Sequence, residues 1–174
     1  MKPRSRILKT ASHLFHIQGY NSTGINQIIE EASVAKGSFY YNFKSKEEVC
    51  IAFLNARHAY WFESLKNYIE LKKNEEQPIL LAFDFLIEMN VKENFRGCSF
   101  LNILSEIPSD NSKILKVIQN HKKDLRQYIA SLVNNNKVSD HIYLLFESSI
   151  IESQLYRGQW PIKKSKKIVK HLIQ

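Results

Sequence analysis

An all-α fold is what these 174 residues predict, on three observations. Five glycines and four prolines are under half the usual combined share of about 12%. No Asn-Gly or Asp-Gly pair is present to turn a β-hairpin. Apolar residues recur at three- and four-residue intervals along the stretches between Pro3, Pro78, Pro108 and Pro161.

The elements follow in order. Ile7, Leu8, Ala11, Leu14 and Phe15 make the inward stripe of a first helix, 4–18, which Gly19 stops. Thr23 can cap a short second helix whose inward face is Ile25, Ile28, Ile29 and Ala32. A linker, Ser33 to Lys36, leads to a third short helix over 36–42. Ser45 and Glu48 have capping-box spacing and open a fourth helix. With no glycine or proline before Pro78 it can run to about residue 73, close to 40 Å at 1.5 Å per residue. Further helices are expected near 77–93, 99–107, 110–134, 138–158 and 162–173, with no internal repeat.

Composition excludes several classes of function. The longest apolar runs, Ile79 to Phe83 and Ile142 to Phe146, are five residues each, against the roughly 20 that span a bilayer. No membrane segment is expected. The basic start of the chain runs into His13, His16 and Gln18 and has no small-residue cleavage site, so the expected location is cytoplasmic. Cys50 and Cys98 form no Cys-x-x-Cys pair and read as buried reduced thiols. His13 and His16 lack a third ligand, so no metal is expected, and no cofactor. There is no glycine-rich phosphate loop and no serine elbow, and no catalytic residue is assigned. The charge of +8 favours an anionic partner. It lies at the two ends: residues 1–29 carry Lys2, Arg4, Arg6 and Lys9 with no acid, and residues 157–174 carry six basic groups with none. A lysine run at 163–170 interleaves with Ile162, Ile168, Val169, Leu172 and Ile173, which gives a basic face and an apolar one.

The informative stretch is Thr23 to Glu48. Two short helices across a tight turn, behind a third, have the proportions of a helix-turn-helix, which lays its second helix in the DNA major groove. Phe39 and Phe43, four apart, can face the core together while Tyr40 and Tyr41 project toward phosphates. Gly37 allows close approach, Lys36 adds charge, and Lys46 can join the fourth helix's first turn as a phosphate contact. The wording Lys36-Gly37-Ser38-Phe39-Tyr40-Tyr41-Asn42-Phe43, followed by Lys44-Ser45-Lys46-Glu47-Glu48-Val49, resembles the DNA-binding domain of the tetracycline-repressor (TetR) family over residues 4–50. The resemblance implies that Thr23, Lys36, Gly37, Ser38, Tyr40, Tyr41 and Lys46 fall at the DNA surface. Two positions depart from the family's pattern: Ser33 stands where glycine is usual, and Ala35, which cannot cap, stands where serine is usual.

The resemblance further implies a TetR-like division: a helix-turn-helix DNA-binding domain, 1–48, and a helical effector-binding and dimerisation domain, 49–174. A homodimer on a palindromic double-stranded operator, released by a small-molecule effector, is the expected behaviour. His58, Tyr60, Trp61, Phe62, Phe83, Phe85, Met89, Phe100 and His121 could line the effector cavity or be ordinary core. Arg96-Gly97-Cys98-Ser99-Phe100-Leu101-Asn102 is similar to a bend before the sixth helix in part of the family, with Cys98 expected to pack inside. For the dimer, Val138, Ile142, Leu145, Ile150, Leu155, Ile162, Val169 and Ile173 are expected to supply the apolar surface, with Lys163, Lys164, Lys166 and Lys167 pointing outward. The competing reading is a helical small-molecule-binding protein or enzyme on the same fold that has lost DNA recognition, which Ala35 alone favours.

Overall fold

The computed structural model describes residues 1–133 and 136–174, and these form nine α-helices and no strand. They are α1 (Pro3–Ile17), α2 (Ile25–Glu31), α3 (Lys36–Asn42), α4 (Lys46–Lys72), α5 (Pro78–Lys92), α6 (Ser99–Leu104), α7 (Ser112–Ser131), α8 (Asn136–Tyr156) and α9 (Trp160–Leu172). Proline opens α1, α5 and α9, where its missing N–H leaves no helical bond unmade. Gly19 follows α1 at φ +93°, the left-handed stop that its position predicts. α6 ends at Leu104 rather than 107, and the expected end of the seventh helix at 134 lies outside the described residues.

Packing groups the chain into two compact units that interleave in sequence. The first holds residues 1–59 and 99–120, so it takes in 49–59 and the α6 region beyond the linear division at 48. Ile7, Ala11, Leu14 and Phe15 of α1, Ile28 of α2, and Phe39 of α3 are buried there. Phe15 meets Tyr20 and Phe53 with ring centroids 5.4 and 5.7 Å apart.

The second unit holds residues 60–98 and 121–174. Its core brings Phe62, Leu65 and Ile69 of α4, most of α5, Leu125 and Ile129 of α7, Ile142 and Phe146 of α8, and Ile162 and Val169 of α9 into one apolar cluster. This corrects the expected dimer surface. Ile142, Ile162 and Val169 are fully buried, Val138, Leu145, Ile150 and Ile173 pack partly against the same core, and only Leu155 of the eight is exposed. The free apolar row of α8 is Leu144, Ile151 and Leu155, with Ser148 between them. The lysines need a correction too. Lys163, Lys164 and Lys167 are exposed, but Lys166 turns onto α5, its Nζ 2.7 Å from Asp84 Oδ2 and 2.6 Å from Glu76 Oε2.

Candidate nucleic-acid interface

The turn and the start of α3 are built by backbone geometry. α2 ends in a Schellman motif: Val34 N–H donates to Ile29 O at 3.1 Å and Ser33 N–H to Glu30 O at 2.9 Å, satisfying carbonyls that the helix leaves open. Ser33 occupies the left-handed position at φ +51°, where glycine is the residue without strain. Ala35 is the N-cap of α3 and makes no side-chain cap bond, as its methyl group dictates.

α3 then divides its side chains between two surroundings. Phe39 is fully buried and Phe43, just past the helix, nearly so, with ring centroids 6.4 Å apart. On the outer side Lys36, Gly37, Tyr40 and Tyr41 are exposed, Tyr41 by 83%, and Ser38 is half-buried. Side chains hold the C-terminal part of the helix. Arg4 of α1 donates from Nη1 to Asn42 O at 3.0 Å and lies 4.3 Å from the Phe43 ring centre. Asn42 Nδ2 donates to Ser38 O at 2.8 Å, and Lys44 Nζ to Tyr40 O at 3.0 Å.

Two expected contacts are placed otherwise. Thr23 is fully buried and its Oγ1 donates to Gly19 O at 2.7 Å. The cap position of α2 is Gly24, so Thr23 ties the α1–α2 turn from inside and offers no outward hydroxyl. Lys46 is half-buried with its ammonium 4.3 Å from the centre of the Tyr20 ring, a cation–π arrangement. Burial holds its pKa below the ordinary lysine value and pushes the Tyr20 hydroxyl up to about 12. Ser45 keeps its capping role: Oγ accepts from Glu48 N–H at 3.2 Å, while the Glu48 carboxylate reaches back to Lys44 N–H at 2.8 Å.

The sequence reading missed a clamp on the same unit. Glu106, just past α6, accepts Asn21 N–H through Oε2 at 2.7 Å, and its carbonyl accepts Asn21 Nδ2 at 2.8 Å. The φ of +93° at Gly19 demands glycine, and a Cβ there would stand 2.7 Å from Glu106 Oε1 and displace the end of that side chain. Asn111 Nδ2 and Lys113 Nζ likewise reach the Glu47 carboxylate, each at 3.1 Å. With Asn21 and Glu106 standing 85 positions apart, no local pattern could announce the pair.

The expected effector residues separate. Trp61, Phe62, Phe85 and His121 meet in the second unit, Trp61 standing edge-on to Phe85 at 5.4 Å and Phe62 to His121 at 5.8 Å. Met89 is buried in that core, whereas His58 and Phe100 belong to the first unit. Tyr60 is exposed and Phe83 is fully buried. Cys98 is half-buried rather than interior, with Lys122 Nζ 3.4 Å from its sulfur. Cys50 is fully buried, and burial pushes its thiol up to about 12. Among the described residues no three His, Cys, Asp or Glu side chains are placed to hold a metal ion. Nor is any helix long and apolar enough to cross a membrane.

Residues 7–53 match the family described as bacterial regulatory proteins, tetR family. An uncharacterized HTH-type transcriptional regulator in the lacX 3' region of Lactococcus lactis is 29% identical over 131 residues, 73% of this chain and 66% of that protein. The HTH-type transcriptional regulator LmrA of Bacillus subtilis is 41% identical over 68 residues, 38% of this chain and 36% of that one. The chain thus spans two thirds or less of the length of these relatives. SCO4454 of Streptomyces coelicolor, a TetR-family transcriptional regulator, superposes with a TM-score of 0.82 at 19% identity, over 98% of this chain and 94% of that one. The uncapped seven-residue α3, its buried Phe39 and its outward tyrosines therefore lie inside residues 7–53, the segment that matches the tetR family of bacterial regulatory proteins.

Proposed function

We propose that the protein is a DNA-binding transcriptional repressor acting in the cytoplasm, dimeric on a palindromic operator and released by a small-molecule effector. The observation that carries this reading is the division of α3: Phe39 and Phe43 fix it to the core while Lys36, Gly37, Tyr40 and Tyr41 stay free to meet a groove. Charge and phenolic hydroxyls at that surface suit phosphates flanking the groove, and the bare Gly37 lets the backbone approach closely. Thr23 serves the same surface indirectly, by fixing the turn before α2.

A gel shift with the DNA flanking its own gene tests the reading. Wild type should retard this duplex. Lys36→Ala should weaken binding and lower the salt slope by about one, and Tyr41→Phe should weaken binding to all sequences alike. Specific ligand binding with no affinity for any duplex would favour instead a binding protein that has lost DNA recognition.

For the effector, the aromatic cluster about Trp61 supports an apolar or aromatic ligand that parts these rings. A ligand of that kind should quench Trp61 fluorescence, raise Tm and lower operator affinity together, because differential affinity for two states is what couples the two sites. A ligand screen that moves none of the three would overturn this part.

A further inference from the structure

A cleft of about 440 Å³ opens in the first unit between α1 and the α2–α3 turn. Arg6, Lys9, Thr10 and His13 line one side, and Glu31, Ala32 and Ser33 the other. The Nε of Arg6 is buried and has no hydrogen-bond partner. That atom is closed to an incoming ligand, so what Arg6 offers the cleft is the positive charge of its guanidinium, which suits an oxyanion. Lys9 is exposed beside it, Thr10 adds a hydroxyl, and the one acid, Glu31, already accepts from Gln27 Nε2 at 2.9 Å. The cleft's far wall is the turn that delivers α3, and Arg4, two residues before Arg6 on α1, holds the other end of α3 through Asn42. α1 therefore runs beside α3 with Arg4, Arg6 and Lys9 along it and no acid of its own.

We propose that this cleft is a phosphate site, which takes a backbone phosphate of DNA beside the groove that α3 enters, with the Lys9 ammonium as donor and the Arg6 guanidinium as a second positive charge. It rests on the DNA-binding reading and adds to it a contact from α1, outside the helix-turn-helix. Such a contact positions the head and carries no base preference.

The test uses the full chain, a random-sequence duplex and salt between about 50 and 200 mM, where the slope of log affinity against log salt counts phosphate contacts at about 0.9 each. Lys9→Gln should lower the slope by about one and weaken binding several-fold, and Lys9→Glu should weaken it further. Arg6→Gln should match Lys9→Gln, and the exposed Lys9 keeps the test valid if Arg6→Gln unfolds. Lys36→Ala is the control on α3. Unchanged slopes for both Lys9 variants, with a reduced slope for Lys36→Ala, would overturn the cleft and leave the DNA-binding reading standing. A second arm distinguishes the source of the phosphate. Inorganic phosphate that raises Tm above chloride at equal ionic strength, an effect lost in Lys9→Gln while DNA slopes do not move, would assign the site to a free anion. No response in either arm would dismiss it.

Discussion

Ser33 and Ala35 each forgo something that another residue would supply. Left-handed backbone costs an L-residue about 1–2 kcal/mol, part of which glycine returns through its greater unfolded freedom. Ser33→Gly is therefore expected to stabilise by about 1 kcal/mol, or about 2–4 °C in Tm for a chain of this size. Ala35 stands at φ −68° and ψ 147°, extended as a cap should be, and Ala35→Ser should add about 1 kcal/mol by closing an open amide of α3. Thermal unfolding of both variants checks these values, and a Tm below wild type in either case contradicts the account. The two departures were legible in the sequence because turn and cap chemistry is local. The role of Thr23 was not: Thr-Gly-Ile reads as a cap before a helix, and only the tertiary packing that buries its methyl and hydroxyl assigns it to the Gly19 carbonyl.

Among elements, α3 was readable to the residue, since its aromatic spacing admits one inward pair. α8 was not. Ile142, Leu144, Leu145, Ile150 and Ile151 place apolar groups nearly all round the helix, so the period cannot say which stripe is core. The structure buries Ile142 and leaves Leu144, Ile151 and Leu155 exposed by 63, 49 and 68%. Exposed rows of this kind mark interfaces, and a two-fold pairing would set this row against itself. Ile151→Glu with Leu155→Glu should give a folded monomer by analytical ultracentrifugation that binds a half-site weakly. The same double variant sedimenting as a dimer would move the interface elsewhere. Ile150→Glu should act differently, lowering Tm through the core it partly enters.

Across the whole molecule, the net charge of +8 conceals how the acids are used. Lys166 bonds Glu76 and Asp84, and the Glu76 carboxyl is held below its usual value of 4.5 chiefly by the Lys166 hydrogen bond. A depressed carboxyl stabilises above its unfolded pKa and loses that contribution as pH falls through the folded one. Lys166, against its burial, is raised by the same bonds, so its share persists below its unfolded pKa and is lost as pH climbs through the folded one. Tm should then fall below about pH 4.5, and Lys166→Met should flatten that acid limb. Identical limbs in the two proteins would contradict the pairing.

The Glu106 clamp on Asn21 adds a dimension of time. On a ribosome the reading helices emerge first, but the group that fastens their entry turn is made 85 residues later. A nascent chain that stops short of residue 99 has its recognition helix and lacks its fastening. Contacts this distant in sequence close late, after the intervening chain has been ordered. The expected trace is hydrogen exchange: in a 1–59 fragment, amides of residues 18–24 should exchange faster than in the intact chain. The first unit would thus have its entry turn firmly set only after residues 60–98, the first segment of the second unit, have been made.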